Sequence, residues 1–578
     1  MKKMTGAEMI VEALRKEGVE YLFAYQGGVV IPIFDALAKQ QDIKVIIPRH
    51  EQGAAHAADG YARVTGKVGV CLATSGPGAT NLVTGIANAY MDSIPMVAIT
   101  GQVATMMIGN DAFQEADLTG ITRTITKHNY LVRDVKDLPR ILKEAFYIAR
   151  TGRPGPVLVD MPADVVKAAL TQEYPETVDI RSYKPNYKGH PRQIKQAAAM
   201  IMAAKRPVIM GGAGVIHAGG SDVLRAFVKK TGIPITTTLL GLGIYPTEDE
   251  LFLGMPGMHG LFAANHALTE SDLIISVGAR FDDRVTGKLE SFAPHAKVIH
   301  IDIDPTSVSK SVAVDIPIIG DAKMVLDELI TDVSACDIGE WKARVMQWKK
   351  DNPLKYDHEG EIIKPQFVLE TLSRIAPPDA LVATDVGQHQ MWTAQFYQFK
   401  HPRQLITSGG LGTMGFGLPA AIGAQLGSPE KKVLLISGDG SIQMNIQELA
   451  TISNYDLPVK IIILNNHYLG MVRQWQELFF GKNYASTCLQ KKTSCPPGCN
   501  SPTEDCPMYV PNFVKLADAY GIAAACVSKK SDVEAALKKA LDHKGAYLLD
   551  VQTAREENVM PMVPAGQPIN QMLLHGLA

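Results

Sequence analysis

The sequence has almost no net charge, because 57 lysine and arginine residues are balanced by 59 aspartate and glutamate residues. Such a chain carries no field that would draw it to nucleic acid or to an anionic membrane surface. It also has no apolar run of transmembrane length, and residues 1–20 predict an amphipathic helix rather than a targeting leader. We therefore expect a cytoplasmic protein whose partners are small molecules and other protein chains, with no nucleic acid and no membrane.

Cysteine is scarce, with seven residues in 578, which disfavours a scaffold held by disulfides. Four of the seven are grouped, separated by six, three and six residues around a predicted turn at 496–498: Cys488, Cys495, Cys499 and Cys506. Four thiolates could hold Zn²⁺ or an iron–sulfur cluster. The usual Cys-x-x-Cys spacing is absent, so free or redox-active thiols are an equal alternative.

The most informative stretch is Ser437-Gly438-Asp439-Gly440-Ser441, which follows the apolar run 433–436. A helical pattern over 443–455 and a β-branched run over 459–464, ending in Asn465-Asn466, complete a strand–helix–strand unit. Right-handed crossovers bring both strand ends to one sheet edge, so Asp439 and Asn466 should meet. A turn followed by a loop would explain Gly-Asp-Gly alone, but not this spacing.

Carboxylate and amide oxygens are ligands that Mg²⁺ prefers. With the backbone carbonyl of Tyr468, two diphosphate oxygens and a water, Asp439 and Asn466 would complete an octahedron. Gly438 and Gly440 let the backbone approach a phosphate at a helix N-terminus. The stretch therefore predicts a clamp for a metal ion and a diphosphate, which we call the metal clamp: Gly438, Asp439, Gly440, Asn466 and Tyr468.

Residues 68–102 repeat the plan of residues 432–466: an apolar strand, Ser-Gly-x-Gly, a helix, a proline and a second apolar strand. The repeat predicts that the first and last domains are structural duplicates. Pro77 stands where the metal clamp has its aspartate, so the first copy cannot hold Mg²⁺. It would instead hold the other end of the same cofactor.

The clamp resembles the GDG…NN motif of thiamin-diphosphate enzymes. From about residue 5 to residue 574 the chain resembles the acetohydroxyacid synthase (acetolactate synthase) family, whose members work in branched-chain amino-acid biosynthesis. The resemblance implies three doubly wound parallel-sheet α/β domains, with these bounds: a pyrimidine-binding domain at 1–165, a linker at 166–190, a central FAD-binding domain at 191–335, a linker at 336–365, a diphosphate-binding domain at 366–550 with the cysteine insertion at 488–506, and a tail at 551–578.

The cofactors implied are thiamin diphosphate, Mg²⁺ and FAD. In the family, the glutamate that matches Glu51 hydrogen-bonds the pyrimidine ring, and a bulky apolar residue matching Met414 wedges between the two cofactor rings. Without the resemblance, Glu51 is an ordinary first-turn carboxylate and Met414 an ordinary core residue. The residues assigned to thiamin diphosphate are Glu51, Pro77, Val386, Gly387, Gln388, His389, Gly412, Met414, Gly438, Asp439, Gly440, Ser441, Asn466, Tyr468, Gly470 and Met471.

The flavin assignment depends on three segments, 254–260, 278–287 and 301–305, which together resemble the FAD-binding residues of the family. The glycine-rich turn at 211–214 adds little, because the full Gly-x-Gly-x-x-Gly spacing is not met. The residues assigned to FAD are Arg153, Gly211, Gly212, Gly214, Thr238, Leu239, Met255, His259, Gly278, Arg280, Asp282, Asp302, Ile303 and Asp321.

The implied reaction is decarboxylation of pyruvate and condensation of the two-carbon unit with a second 2-oxo acid. In the family, residues matching Arg284 and Trp475 bind the carboxylate and the side chain of that acceptor, as a planar guanidinium and an apolar wall can. The residues assigned to catalysis are Glu51, Gly28, Gln114, Phe113, Arg284, Met414 and Trp475. The implied assembly is a homodimer or homotetramer in which Glu51 meets the metal clamp across the interface, with a separate regulatory small subunit left open.

Two positions depart from the family pattern: Gln26 replaces a usual proline and Ala163 a usual lysine, so the preferred acceptor is not fixed by the sequence. The nearest rivals are a flavin-dependent pyruvate oxidase and other thiamin-diphosphate decarboxylases or carboligases. An FAD-free acetolactate synthase is disfavoured by the Arg-Phe-Asp-Asp segment at 280–283. A non-enzymatic relative is disfavoured because Glu51, Asp439 and Asn466 are all present.

Overall fold

The structure is a computed structural model that describes residues 3–496, 499 and 506–574. Three parallel β-sheets, each with helices on both faces, account for most of the described chain, and a two-stranded antiparallel ribbon joins residues 4–5 to residues 169–170. The predicted fold class, three doubly wound α/β domains, is confirmed. Every helix in the described ranges is too short or too polar to cross a bilayer.

The first sheet has six strands in the order β3-β2-β4-β5-β7-β6. The strands of this part of the chain, with the ribbon strands β1 and β8, are β1 (Met4–Thr5), β2 (Tyr21–Ala24), β3 (Lys44–Ile46), β4 (Gly69–Ala73), β5 (Met96–Gln102), β6 (His128–Leu131), β7 (Pro156–Pro162) and β8 (Ala169–Leu170). Its helices are α1 (Gly6–Lys16), α2 (Ile31–Leu37), α3 (Glu51–Thr65), α4 (Pro77–Thr80), α5 (Val83–Asp92), α6 (Leu118–Thr122), α7 (Leu138–Arg150) and α8 (Ala163–Lys167).

The central sheet has five strands in the order β10-β9-β11-β12-β13. They are β9 (Pro207–Gly211), β10 (Ile235–Thr237), β11 (Leu273–Val277), β12 (Lys297–Asp302) and β13 (Ile316–Ile319). The helices are α9 (Pro191–Ala203), α10 (Ala213–His217), α11 (Ser221–Thr231), α12 (Phe262–Glu270), α13 (Asp283–Thr286), α14 (Ala322–Leu329) and α15 (Gly339–Asp351).

The last sheet has six strands in the order β15-β14-β16-β17-β19-β18. They are β14 (Leu381–Thr384), β15 (Leu405–Ile406), β16 (Val433–Gly438), β17 (Lys460–Asn465), β18 (Ala523–Val527) and β19 (Tyr547–Gln552). The helices are α16 (Pro365–Ile375), α17 (Gln388–Phe396), α18 (Gly417–Gly427), α19 (Asp439–Ile442), α20 (Leu449–Asn454), α21 (Gly470–Phe479), α22 (Phe513–Ala519) and α23 (Val533–Asp542).

The first and last sheets are duplicates, as the sequence repeat predicts. When the strands of each sheet are counted from its own first strand, both orders are 2-1-3-4-6-5. The four-residue helix α4 follows β4 just as the four-residue helix α19 follows β16. The central sheet has the shorter order 2-1-3-4-5, which is the flavodoxin-like arrangement of doubly wound proteins.

The duplicate domains pack against each other through helices α3 and α18. A Cβ atom added to Gly423 would lie 1.8 Å from the carbonyl oxygen of Ala57, and one added to Gly60 would lie 2.1 Å from the carbonyl oxygen of Ala420. The two helix backbones are therefore in direct contact, which any larger residue at either glycine would prevent. This contact fixes the N-terminus of α3, which begins at Glu51, relative to the last domain.

Two predicted segments differ from the structure. The helix expected over 443–455 is broken: residues 443–448 form a 3₁₀ turn with a non-helical Asn445, and α20 starts only at Leu449. The side chain of Asn445 donates to the Gly415 carbonyl at 2.7 Å, so a tertiary contact overrides the helical pattern. The linker expected at 336–365 contains α15, which buries Trp341 against the central domain through a hydrogen bond to the Pro207 carbonyl.

Candidate functional site

A cavity of about 770 Å³ lies where the three domains meet, at the carboxyl ends of the central and last sheets. This volume is in the range of small-molecule and cofactor sites, about 300–1,000 Å³. The ends of parallel strands leave backbone N–H groups and short polar loops facing such a cavity, and helix N-termini there favour negative charge. The position is where a doubly wound protein is expected to bind a phosphorylated ligand.

The metal clamp is assembled at the ends of two adjacent strands. In the parallel pair β16–β17, Gly438 lies opposite Leu464, so Asp439 and Asn466 follow directly from neighbouring strand ends. The Asn466 amide donates to Gln388 Oε1 at 3.3 Å and its oxygen accepts the Tyr468 N–H at 3.0 Å. The Tyr468 carbonyl oxygen accepts no hydrogen bond from the described residues. Local contacts thus hold the Asn466 side chain in place, and the Tyr468 carbonyl oxygen is available to a metal ion.

Asp439 is almost completely buried, with a relative exposure of 1%. Burial raises the pKa of its carboxyl group to about 7, although the Tyr509 hydroxyl, which donates to Oδ2 at 2.8 Å, opposes the shift. A buried carboxylate is costly unless a cation or hydrogen bonds stabilise the charged form. A divalent cation at this position would supply that stabilisation, so the donor set fits Mg²⁺.

His389 lies beside the strand end that carries the clamp. Its Nε2 atom is buried and has no hydrogen-bond partner among the described residues. Burial lowers its pKa to about 3, so the imidazole is neutral and can offer a single N–H. A Cβ atom on Gly438 would lie 2.9 Å from this ring, and Gly387, at φ 156°, has a backbone conformation that side chains disfavour. The unpartnered ring nitrogen and the close glycines fit a bound polar group such as a diphosphate.

Most residues assigned to thiamin diphosphate line this cavity. They are Val386, Gly387, Gln388, His389, Gly412, Met414, Gly438, Asp439, Gly440, Ser441, Asn466, Tyr468, Gly470 and Met471. The C-terminal tail closes over the same region, because Gln388 donates to the Glu557 carbonyl at 2.9 Å and Gln474 donates to the Val559 carbonyl at 3.0 Å.

The first-domain residues assigned to catalysis and to thiamin diphosphate do not line the cavity of their own chain. Glu51 starts α3, is 9% exposed and accepts a hydrogen bond from Asn81 at 3.0 Å. Phe113 is 89% exposed, on a loop in which Gln114 has a positive φ of 59°. Gly28 and Pro77 lie outside the lining as well. The cavity of a single chain therefore brings together three of the seven residues assigned to catalysis.

Most residues assigned to FAD line the central-domain side of the cavity. The lining residues are Arg153, Gly214, Thr238, Leu239, Met255, His259, Gly278, Arg280, Asp282, Asp302, Ile303 and Asp321. His259 Nδ1 is buried without a partner among the described residues, which fits a bound polar ligand. Gly211 and Gly212 do not line the cavity, and a Cβ on Gly212 would lie 2.4 Å from the Gly278 carbonyl oxygen, so their assignment to FAD stays a prediction.

Arg284 and Trp475, which are assigned to the acceptor substrate, and Met414, which is assigned as the wedge between the cofactor rings, share the cavity with the clamp. The Arg284 side chain is 64% exposed and its closest acidic neighbour is Asp283, at 3.8 Å between Nη1 and Oδ2. Because Asp283 is 80% exposed, this ion pair is weak, and the guanidinium remains able to bind a carboxylate. Trp475 packs against Phe479 in α21.

The four cysteines are not brought together as metal ligands. Among residues 3–496, 499 and 506–574, no group of three or more histidine, cysteine, aspartate or glutamate side chains is arranged to hold a metal ion. Cys488 faces Tyr468 in an isolated β-bridge, and the Lys492 N–H donates to Cys495 Sγ at 3.3 Å. The predicted turn at 496–498 falls partly outside the described residues. The tentative Zn²⁺ or iron–sulfur site gains no support.

Sequence reasoning missed several residues at the site. Asp92 and His217 line the cavity, and Tyr509 contacts the clamp. Asp92 ends the helix of the sequence repeat, a position that could have been flagged. No sequence signal identifies His217 or Tyr509, because their roles depend on contacts between distant parts of the chain.

Comparison with known proteins agrees with this geometry. Three family profiles match in order: the N-terminal TPP binding domain of thiamine pyrophosphate enzymes at residues 4–121, their central domain at 194–329 and their C-terminal TPP binding domain at 385–551. The chain therefore belongs to the thiamine pyrophosphate enzyme family, and thiamin diphosphate is the cofactor that these domains bind.

Individual proteins of known name are similar to nearly the whole chain. The chain is 49% identical to the acetolactate synthase large subunit of Haemophilus influenzae, over 99% of both chains. It is 47% identical to the acetolactate synthase isozyme 3 large subunit of Escherichia coli, again over 99% of both. It is also 47% identical to the chloroplastic acetolactate synthase of Arabidopsis thaliana, over 99% of this chain and 84% of that relative.

Proposed function

We propose that this chain is the catalytic subunit of an acetohydroxyacid synthase. It decarboxylates pyruvate and joins the remaining two-carbon unit to a second pyruvate, giving 2-acetolactate, or to 2-oxobutanoate, giving 2-aceto-2-hydroxybutanoate, in branched-chain amino-acid biosynthesis. The observation that carries the proposal is that a single cavity is lined by the metal clamp and by Arg284, Met414 and Trp475. The full-length similarity to acetolactate synthases supports the same reaction.

Thiamin diphosphate supplies an electron sink for decarboxylation. The chain's own residues bind and orient it: Asp439 and Asn466 would hold Mg²⁺ against the diphosphate, and His389 would lie beside it. Arg284 would pair with the carboxylate of the acceptor through its guanidinium group. Trp475 would form the apolar wall beside the acceptor side chain.

FAD would occupy the central-domain side of the cavity. The buried, unpartnered Nδ1 of His259 and the guanidinium of Arg280 are groups that a flavin nucleotide could satisfy. The condensation involves no net oxidation or reduction, so the role of FAD in this proposal is structural. That distinguishes the chain from a flavin-dependent pyruvate oxidase, which would reduce its flavin in each turnover.

The active assembly would be a homodimer or a dimer of dimers. Glu51, Gly28, Pro77, Phe113 and Gln114 lie outside the cavity of their own chain, while the loop that carries Phe113 exposes its apolar side chain. A second copy could place its first domain over the metal clamp, completing the site and covering that loop. The relatives from Haemophilus influenzae and Escherichia coli are named as large subunits, so a separate small regulatory subunit is a further proposed partner.

The test is product formation by the purified chain with Mg²⁺, thiamin diphosphate, FAD and pyruvate. We expect 2-acetolactate as the product, and 2-aceto-2-hydroxybutanoate as well when 2-oxobutanoate is added as a competing acceptor. The flavin should stay oxidised, so its absorbance should not change during turnover. Bleaching of the flavin at the turnover rate, with acetate or an acetyl derivative as product, would instead identify an oxidase.

A further inference from the structure

The segment between α21 and α22 contains the four cysteines, and the proposed function gives it no role. It first contacts the metal clamp through a short antiparallel pairing. The Leu469 N–H donates to the Thr487 carbonyl at 2.9 Å and the Leu489 N–H donates to the His467 carbonyl at 2.9 Å. The residue between these two bonds is Tyr468, whose carbonyl is assigned to the metal ion. The start of the segment is therefore fixed beside the clamp.

The segment contacts the clamp a second time at Tyr509. The side chains on either side point to solvent, since Met508 is 79% exposed and Val510 is 60% exposed. Tyr509 is turned inward, and its ring stacks on His467 with the two ring centroids 4.3 Å apart and the planes 9° from parallel. The end of the segment is thus anchored to the same loop as its beginning.

The hydroxyl group of Tyr509 reaches the metal ligand itself. It donates to Oδ2 of Asp439 at 2.8 Å, across 70 positions of the sequence. Asp439 is 1% exposed, so water has little access to replace this bond. A carboxylate that ligates a cation is held in one orientation when a donor binds its second oxygen, and loss of such a donor typically weakens metal affinity about 10- to 100-fold.

We propose that Tyr509 is a positioning residue that orients Asp439 for Mg²⁺, so that the cysteine-containing segment forms part of the metal–diphosphate site. The inference rests on the proposed function, because it takes Asp439 as the Mg²⁺ ligand. It also explains why both ends of the segment return to residues 467–469 instead of looping freely from α21 to α22.

The test is a Mg²⁺ titration of the full-length Tyr509→Phe variant, stripped of metal with EDTA and supplied with saturating thiamin diphosphate. Binding is followed by calorimetry or by tryptophan fluorescence, since Trp392 and Trp475 line the cavity. Tyr130→Phe is the matched control, because it also removes a tyrosine hydroxyl bonded to a carboxylate, 2.9 Å from Glu144, outside the cavity. The melting temperature of each metal-free protein is measured alongside.

We expect the Mg²⁺ concentration at half-saturation to rise about 10-fold or more in Tyr509→Phe and to stay within about twofold of the parent in Tyr130→Phe. The metal-free melting temperatures of the two variants should fall by similar amounts, because each loses one hydrogen bond from a tyrosine hydroxyl to a carboxylate. An unchanged Mg²⁺ affinity in Tyr509→Phe, or an equal loss in Tyr130→Phe, would overturn the inference. A parent protein that binds neither Mg²⁺ nor thiamin diphosphate would instead refute the proposed function.

Discussion

A buried polar network connects the first domain to the loop that carries Met414. Asp92 Oδ2 accepts hydrogen bonds from Arg63 Nη2 at 2.8 Å and from the Gly409 N–H at 3.0 Å, while Oδ1 accepts the Gly410 N–H at 2.7 Å. Asp92 is 2% exposed and Arg63 is 8% exposed. Since both carboxylate oxygens act as acceptors, the substitution Asp92→Asn must turn an amide NH₂ towards at least one of these donors.

The expected cost of Asp92→Asn is the loss of one or more hydrogen bonds to a charged partner, about 1.5–3 kcal/mol. At about 2–4 °C per kcal/mol for a domain of 150–250 residues, the melting temperature should fall by about 3–12 °C. Because the loop at 408–414 loses an anchor, Met414 should shift, and a displacement near 1 Å can cost about 100-fold in rate. We expect kcat to fall by about 10- to 100-fold.

The assay combines thermal melting at one scan rate and protein concentration with steady-state acetolactate formation. Asp35→Asn is the control, because it breaks an aspartate–lysine pair of 2.7 Å whose side chains are both 66% exposed. Exposed pairs contribute about 0–1 kcal/mol, so this variant should change little. The reasoning is refuted by an Asp92→Asn variant whose melting temperature and kcat match those of Asp35→Asn.

Two further substitutions test other parts of the account. Trp475→Leu should reduce discrimination between 2-oxobutanoate and pyruvate by about 10-fold, since one methylene in an apolar pocket is worth about 1–3 kcal/mol; an unchanged product ratio in a competition assay would contradict the assigned role. Glu448→Gln should lower the melting temperature and kcat, because its carboxylate accepts the Arg49 N–H at 2.9 Å and the Thr451 hydroxyl at 2.6 Å, and one mismatched donor costs about 1–3 kcal/mol. A Glu448→Gln variant with the kcat of the parent protein would show that the bond from Glu448 to the Arg49 N–H does not hold the start of α3 and Glu51 in place.

Local patterns were sufficient to predict the strands and the placement of Asp439 and Asn466 at neighbouring strand ends. The apolar runs at 433–436 and 459–464 fall within or overlap β16 and β17, and the repeat at 68–102 predicted a duplicate sheet that has the same strand order. Strands buried on both faces show as continuous apolar runs, and glycines mark their ends, so these signals lie in adjacent residues.

Contacts between distant residues could not be predicted in this way. The break in the helix at Asn445 depends on a bond to Gly415, and the bond from Tyr509 to Asp439 joins two segments separated by the cysteine insertion. The placement of Glu51 outside its own chain's cavity agrees with the family expectation of a site shared between two copies. In the proposed dimer the complete site is shared between two copies, so spacing within one chain could not locate it.

We propose that Glu51, by a hydrogen bond to the pyrimidine ring, promotes ionisation of thiamin diphosphate held by the metal clamp of a second copy. The most direct measurement is the exchange rate of the cofactor's thiazolium C2 proton with deuterium, followed by NMR after acid quenching, in the parent and in Glu51→Gln. General acid–base assistance is worth about 10²–10⁴-fold, so we predict that exchange slows by at least about 100-fold while FAD and thiamin diphosphate stay bound. Exchange at the parent rate in Glu51→Gln would contradict the account.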